Sequence, residues 1–418
     1  MADSLLNVSK STLTEFMDAL EAKLALITNL VDYKQIGLTL KDIRRPMLIV
    51  GLPGIGKTCG IISIIEKLNL KLPEEKKLGF KKILLGQTVV GSMSGIPVVM
   101  PDGTVKRVQV PDLPDPERDG EYGVLFLDEI TTADEAQVQP ALGLADDSRN
   151  IGTYTLPEHW IVVGAGNGPD CSNFVRLDDM TISRFEVYDI AYDFQEDWRP
   201  YAQSHGIEDN IIAFLSFDPS ACVRVESTDM DDNGKLFACP RTWERLSHEL
   251  KMRKAIGKEV RQDDIGRFAG RIVGVNAARH FQAFCATIER LDVSPEKIVN
   301  GEERDPSADM KKEVFFAVLQ SCTKLLTKIL DEHGDGEGNF DTVAYSSVGN
   351  TLSWFLKMQD TDLEATVNAM MSFKTGVPNI QLIFLDSDFP PFCPEFNDFL
   401  ENYGTMMLNQ QSSFDLKF

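Results

Sequence analysis

Residues 51 to 58 combine small, flexible residues with one cation and one hydroxyl. They read Gly51, Leu52, Pro53, Gly54, Ile55, Gly56, Lys57 and Thr58. Gly51 and Gly56 permit positive φ and close backbone approach, so successive N–H groups can point at phosphate oxygens. Lys57 can bridge the β- and γ-phosphates of a nucleotide, and the Thr58 hydroxyl can bind Mg²⁺. The spacing predicts a nucleotide- and Mg²⁺-binding loop whose ligand-binding residues are Gly51, Pro53, Gly54, Ile55, Gly56, Lys57 and Thr58.

The segments on both sides of this loop supply the context that the motif needs. An apolar run at 47–50 precedes it, and apolar residues recur at helical spacing over 61–65. A strand, a glycine-rich loop and a helix would place the phosphates at the positive end of the helix. A glycine-rich turn with an ordinary surface lysine is the alternative for the octapeptide alone.

Two further apolar strands end in polar side chains. The run at 123–127 is followed by Asp128 and Glu129, and the run at 159–166 ends at Asn167. Buried carboxylates are costly, but the carboxyl ends of parallel strands face a ligand crevice. We expect Asp128 to hold Mg²⁺ through water and Glu129 to orient and polarise the attacking water. The alternative is a strand-end Asp-Glu pair that only begins a turn. Asn167 would donate to the γ-phosphate or hold that water, unless its amide only makes a turn.

Two arginines lie where they could complete such a site. Arg184 precedes a strand predicted at 187–190, and from that boundary its guanidinium can reach the γ-phosphate of a neighbouring subunit. A salt bridge to Asp178 or Asp179 is the alternative. Arg241 begins a predicted helix and would contact the nucleotide from a lid.

The remaining pattern suggests four parts. A capping box at Thr12 opens a helix whose apolar stripe runs to Val31, and Asp102-Gly103 marks an exposed hairpin. From residue 196 onward the periodicity is mostly helical, with a polar break at 300–306. The predicted parts are an N-terminal helix packing on the core at 1–40, an α/β nucleotide-binding core at 41–200 with the hairpin insert at 95–110, an α-helical lid at 201–295, and a helical acidic C-terminal extension at 296–418.

Several individual helices are also predicted. A capping box at residues 132–135 should open a helix through Leu144, which Pro140 should bend or shorten. Helical periodicity continues from Ile265 to Leu291, and the tail around Pro390 is predicted to be loop-like.

Composition limits the class of partner. The chain of 418 residues has 42 Lys and Arg against 64 Asp and Glu, a net charge of −22 that repels a phosphate backbone. Nucleic acid is therefore disfavoured as a ligand, with Lys106 and Arg107 on the hairpin as the basic exception. Seven scattered cysteines without a C-x-x-C pair are typical of reduced thiols. With no apolar run of membrane-spanning length and no basic leader, we expect a cytoplasmic protein.

In this order, the motifs resemble those of the AAA+ ATPases over residues 43–291. The hairpin is similar to the helix-2 insert of one AAA+ group, and Ser183-Arg184-Phe185 is similar to the arginine-finger segment of the MoxR branch. The resemblance implies a P-loop AAA+ core, with a parallel sheet between helices, followed by an α-helical lid and a helical C-terminal region.

The resemblance also implies roles and partners. The roles are Walker A for Lys57 and Thr58, Walker B for Asp128 and Glu129, sensor 1 for Asn167, the finger acting in trans for Arg184, and sensor 2 for Arg241. It further implies a homo-oligomer, a hexameric ring with nucleotide between subunits, and chaperone-like action, often with a von Willebrand factor A-domain partner. The acidic region after Ser294 and Pro140 in the helix after Walker B depart from the family pattern.

The sequence thus predicts a Mg²⁺-dependent ATPase that remodels a protein partner. A nucleotide-gated binding module with slow hydrolysis is one alternative. A nucleic-acid translocase is the other, because the helix-2-insert group includes DNA-acting machines, but the net charge argues against it.

Overall fold

The chain divides between residues 193 and 194. The computed structural model describes residues 8–88, 92–108, 111–168, 171, 177, 179–223, 237–288, 293–303, 305–307, 310–335 and 338–409. Two compact units, Met1–Asp193 and Phe194–Phe418, make up the chain. The first contains the described strands, and the second is built from helices.

The first unit is organised by a six-stranded parallel sheet. Its strands are β1 (Lys10–Ser11), β2 (Met47–Val50), β3 (Leu78–Leu84), β6 (Tyr122–Asp128), β9 (His159–Gly166) and β10 (Glu186–Ile190), and two small hairpins are formed by β4 (Ile96–Val99) with β5 (Val105–Val108) and by β7 (Asn150–Ile151) with β8 (Tyr154–Thr155). The order in the large sheet is β1-β10-β2-β9-β6-β3, and every neighbouring pair is parallel. The loop after β2 therefore emerges beside the ends of β9 and β10.

Helices cover both faces of this sheet, as a fully buried parallel sheet requires. The helices of this unit are α1 (Leu13–Ile27), α2 (Leu40–Ile43), α3 (Lys57–Asn69), α4 (Pro116–Asp119), α5 (Glu135–Ala145) and α6 (Asp179–Ile182). The ring of Phe16 on α1 meets that of Tyr188 at 5.3 Å. The neighbouring residue Val187 packs instead in the core that contains α5. Because successive strand residues face opposite sides, α1 and α5 cover opposite faces.

The second unit buries a large aromatic core among its helices. They are α7 (Arg199–Ser204), α8 (Asp209–Phe217), α9 (Pro240–Ala255), α10 (Ile265–Ala269), α11 (Val275–Ile288), α12 (Pro295–Val299), α13 (Lys312–His333), α14 (Thr342–Leu356), α15 (Leu363–Gly376), α16 (Ile380–Leu385) and α17 (Pro394–Asn409). The long helix α13 packs against α8, α12, α14 and α15. Phe217 of α8 contacts the same core as Phe316 of α13. No helix in the described ranges is both long and apolar enough to cross a bilayer.

This architecture confirms the predicted fold class. The first unit is an α/β P-loop fold with a parallel sheet between helices, consistent with an AAA+ core, and a helical region follows it. The predicted hairpin is present as the antiparallel pair β4 and β5, with Ile96 opposite Val108. Gln109 and Val110, at the end of the predicted hairpin, lie outside the described residues.

Two predicted helix boundaries near the sheet are wrong. The Thr12 capping box is present, but α1 ends at Ile27, and Asn29 then takes a left-handed φ of 57°. The helix after the carboxylates is capped by Asp134 with Gln137, not from Thr132. It is not shortened by Pro140, since it extends to Ala145.

Two predictions in the helical unit are also wrong. The helical pattern from Ile265 to Leu291 is broken between α10 and α11, where Gly274 has a φ of 87°. The tail predicted as a loop contains α17, which starts at Pro394 and buries Phe396 and Phe399. Proline suits the first position of a helix because no intrahelical bond needs its missing N–H.

Close strand packing makes Gly123 a test of the sheet. Gly123 pairs with Gly79, and a Cβ on Gly123 would lie 2.6 Å from the Gly79 carbonyl oxygen and 2.8 Å from the Trp160 ring. We expect Gly123→Ala to lower the free energy of unfolding by about 1–3 kcal/mol through overpacking. Calorimetric unfolding would measure this. Gly404→Ala, where the described residues place no neighbouring atom within 4 Å of the added Cβ, is the control, and equal stability of both variants would contradict the expectation.

Candidate nucleotide-binding site

The loop between β2 and α3 has the backbone shape that its glycines predict, with one correction. Gly54 and Gly56 have φ values of 79° and 101°, in the left-handed region where a side chain is strained. Gly51 is not among the residues with positive φ. It is required by packing instead, because a Cβ there would lie 3.0 Å from Ile190 and 3.1 Å from Ile55.

Helix α3 begins at the end of this loop, so its amino end faces the loop. The helix starts at Lys57, and its N-cap, Gly56, has no side chain to bond the N–H groups of the first turn. Those N–H groups and the helix dipole make the end attractive to an anion. The Lys57 amine folds across the loop and donates to the carbonyl oxygens of Gly51 at 2.8 Å and Leu52 at 3.0 Å.

The carboxylate pair lies at the end of β6. Asp128 is its last residue, and its carboxylate forms an ion pair with Lys82 of the adjacent β3 at 2.7 Å. The other Asp128 oxygen accepts from the Glu129 N–H at 2.9 Å. This pair of contacts fixes the Asp128 carboxylate in one orientation.

Glu129 has an unusual backbone. Its φ is 61°, which costs a non-glycine residue about 1–3 kcal/mol and persists only where the surroundings impose it. A Cβ on Gly86 would lie 3.2 Å from the Glu129 carboxylate, so that carboxylate lies close to Gly86. Strain of this kind is typical of functional positions.

Asn167 is held by a hydroxyl that the sequence did not single out. The Thr131 Oγ1 accepts from the Asn167 N–H at 2.8 Å and donates to the Asn167 carbonyl at 3.1 Å. Thr131 is 1% exposed and packs so closely that a Cβ on Gly166 would lie 2.4 Å from it. One buried side chain, two residues after Glu129, therefore sets the main chain of Asn167.

The three segments meet at one edge of the sheet. Since β2, β9 and β6 are adjacent and parallel, their carboxyl ends place the loop, Asn167 and the carboxylates together. The Gly51 N–H donates to the Gly166 carbonyl at 3.3 Å, and the Ile130 N–H donates to the Ala165 carbonyl at 2.9 Å. These bonds join the phosphate-loop segment to the end of β9, and the end of β9 to the carboxylate turn.

Arg184 lies at the opposite edge. Glu186 at the start of β10 pairs with Met47 at the start of β2, so Arg184 lies beyond the amino ends of both strands. Its Nε donates to the Asp146 carboxylate at 2.5 Å. Among the described residues the salt-bridge partner is thus Asp146 and not Asp179, while Asp178 lies outside those residues.

Arg241 belongs to the second unit. It is the second residue of α9, directly after Pro240, and its side chain is exposed. Within the first unit the structure therefore brings together Lys57, Thr58, Asp128, Glu129 and Asn167, and it places Arg184 at the opposite ends of the strands.

The residues at this edge fit a nucleotide with Mg²⁺. The uncapped helix end and two left-handed glycines suit phosphate, while the Thr58 hydroxyl and the Asp128 carboxylate are oxygen ligands of the kind Mg²⁺ prefers. Among the described residues there is no group of three or more His, Cys, Asp or Glu that could hold a metal alone. A Mg²⁺ ion that shares its ligands with phosphates and water does not need one.

Sequence reasoning missed three residues that hold predicted functional side chains: Lys82 and Thr131 at the site, and Asp146 beside Arg184 at the opposite ends of the strands. None of the three belongs to a motif that the sequence shows. Their partners Asp128, Asn167 and Arg184 are distant in sequence, so only the fold brings each pair together.

Sequence comparison adds no relative, since no family model and no curated protein matches the chain. Solved structures that match include a point mutant of RuvB from Thermotoga maritima, 17% identical over 70% of this chain and 79% of that one, with a TM-score of 0.33. A putative ATPase from Cytophaga hutchinsonii matches at 14% identity over 62% and 87%, with a TM-score of 0.27. NtrX from Brucella abortus in complex with ADP matches at 13% identity over 89% and 70%, with a TM-score of 0.34. With TM-scores below 0.5, none of these similarities identifies the function of this chain.

The Thr131 hydroxyl provides a test of how the site is held. Thr131→Val keeps the shape but leaves the Asn167 N–H and carbonyl without their partner, which should lower the free energy of unfolding by about 1–3 kcal/mol. Thr131→Ser keeps the hydroxyl and should lose less. Thermal unfolding of both variants measures the difference, and a valine variant as stable as the wild type would contradict the assigned bonds.

Proposed function

We propose that this chain is a Mg²⁺-dependent AAA+ ATPase of the MoxR type, which hydrolyses ATP at the subunit interfaces of a ring to remodel a protein partner. The observation that carries the proposal is the meeting of the Lys57 loop, the Asp128-Glu129 turn and Asn167 at the ends of three adjacent strands. A phosphate-binding loop alone would support only nucleotide binding, whereas the added carboxylates and amide supply the groups that hydrolysis needs.

Each group has a task in this proposal. The loop from Gly51 to Thr58 binds the phosphates, with Lys57 reaching the β- and γ-phosphates. Thr58 and Asp128 would hold Mg²⁺, which neutralises negative charge on the phosphates when bound. Glu129 accepts the proton of the attacking water, and Asn167 holds that water or the γ-phosphate.

The position of Arg184 supports assembly. Arg184 is separated from the phosphate site of its own subunit by the length of β2 and by the loop that follows it. The strand has four residues, each about 3.3 Å long. An arginine at that opposite edge can serve the site of a neighbouring subunit, as the proposed finger in trans requires. Arg241 would complete the site as sensor 2 from the lid at 201–295, followed by the extension at 296–418.

The hairpin supports a protein partner over nucleic acid. It exposes apolar side chains, with Val99 at 71% and Val105 at 63%, beside Lys106 and Arg107. Exposed valines suit protein contact, and the net charge of −22 disfavours a phosphate backbone. A von Willebrand factor A-domain protein is the partner class proposed from the MoxR resemblance.

Glu129 tests the reaction itself. Glu129→Gln should still bind ATP but lower turnover by about 10²- to 10⁴-fold, because the amide cannot accept the water proton. Phosphate release measures turnover, and light scattering with and without ATP and Mg²⁺ measures the mass of the assembly. Glu135→Gln, an exposed carboxylate at the start of α5, is the matched control and should leave turnover unchanged. Full turnover in Glu129→Gln would exclude this base and favour a nucleotide-gated binding module.

Arg184 tests the shared site by complementation. Arg184→Ala alone should bind ATP and lose turnover by about 10³-fold. When mixed with Glu129→Gln subunits, which retain Arg184, its intact sites should regain turnover, because neighbours supply the arginine. A mixture that assembles and stays inactive, or a wild-type monomer that turns over ATP fully, would show that Arg184 does not act in trans.

A further inference from the structure

Helix α5 runs from the carboxyl ends of the strands, where Glu129 lies, to their amino ends, where Arg184 lies. Its first residue, Glu135, follows the turn in which the N–H groups of Thr132 and Ala133 donate to the Glu129 carbonyl at 3.0 and 3.2 Å. Its eleven residues span about 16 Å at 1.5 Å per residue. Asp146 follows directly and closes the helix with an N–H bond to the Leu142 carbonyl at 3.0 Å.

The helix is held rigidly along this path. Val138, Ala141 and Leu142 are buried in one core with β-strand residues of the sheet, and the core includes Phe185, the neighbour of Arg184 in the chain. A Cβ on Gly143 would lie 2.4 Å from the Asn150 carbonyl oxygen, so the helix backbone directly abuts β7. Close-packed interiors transmit displacement, and the two ends of α5 cannot move independently without disturbing this core.

At the far end of α5, the contact between Asp146 and Arg184 in the described part of the chain uses one guanidinium atom. Asp146 accepts from the Nε of Arg184, and the side chains are 40% and 28% exposed. Because a guanidinium has five donors in a planar fork, this contact leaves the two Nη groups for an incoming anion. The carboxylate thus sets the direction of the guanidinium without using its outer edge.

Asp146 also lies among several charged side chains. It lines a pocket of about 90 Å³ with four cationic residues and two other carboxylates: Lys41, Arg44, Arg45, Arg149, Asp42 and Asp147. Burial, with a smaller contribution from Arg44, lowers the pKa of Arg149 to about 10, so Arg149 stays charged at neutral pH. A change at Asp146 therefore alters the local charge as well as the contact with Arg184, and a test has to separate the two effects.

We propose that Asp146 is a positioning residue for Arg184, presenting its guanidinium to the neighbouring subunit, and that α5 fixes this carboxylate to the Glu129 turn of the same subunit. This inference rests on the proposed function, because it concerns the arginine that acts in trans.

Donor and acceptor subunits separate this inference from the function on which it rests. The acceptor is Arg184→Ala, whose own site is intact, and the donor is Glu129→Gln, whose turnover is blocked but whose Arg184 is present. Turnover in the mixture therefore reports only how well Arg184 of the donor acts at the site of the acceptor. A second donor combines Glu129→Gln with Asp146→Asn, and a third combines Glu129→Gln with Asp147→Asn. Asp147 pairs with Lys41 at 2.7 Å and is the matched carboxylate control.

The expected result is that the first and third donors restore turnover equally and the Asp146→Asn donor restores about 10-fold less, because a neutral amide oxygen accepts a weaker hydrogen bond from the guanidinium than a carboxylate does. Asp146→Glu in the donor should recover part of that loss. Equal recovery by all three donors, or greater recovery with Asp146→Asn, would overturn the positioning role. Failure of the first donor would instead contradict the proposed function.

A double-mutant cycle excludes a merely structural effect. Asp146→Asn should lower turnover in the wild-type background and have no further effect in the Arg184→Ala background. The same fold-loss in both backgrounds would show that Asp146 acts on folding or local charge and not through Arg184. Thermal unfolding and light scattering of each variant verify that folding and assembly are retained.

Discussion

The adjacency of three parallel strands is the constraint on which the candidate site depends. Because β2, β9 and β6 run in the same direction and lie side by side, three segments far apart in sequence end at one edge. The Gly51 to Gly166 and Ile130 to Ala165 bonds extend this order beyond the strands. A change in register at β9 would displace Asn167 from both neighbours at once, since both sets of bonds end on that strand.

The parts of the site that the sequence predicts are those with local signals. The octapeptide from Gly51 to Thr58 sits between a strand and a helix, and the apolar run before Asp128 is a buried strand, as expected. In these segments the residue types that the motif requires also set the backbone, so pattern and structure agree. Position 51 is the exception, because glycine is required there by close packing against Ile190 on another strand.

The parts that could not be predicted depend on contacts between distant segments. Thr131, Lys82 and Asp146 are ordinary polar residues until the fold places Asn167, Asp128 and Arg184 beside them. The break between α10 and α11 and the presence of α17 were missed for a different reason. There the packing of the helical unit outweighed the local pattern. Pro394 starts α17, but proline is also common in loops, so its role as a helix start was not recognised.

The folded position of the Lys57 amine has a consequence for the cycle of the site. Its two bonds to the Gly51 and Leu52 carbonyls give the loop an internal cation that satisfies two of its own acceptors. In the proposed ATPase, phosphate would compete with these carbonyls for the amine, so part of its binding energy would be spent in exchanging partners. Departure of the product would let both bonds form again, which would favour release over a trapped state.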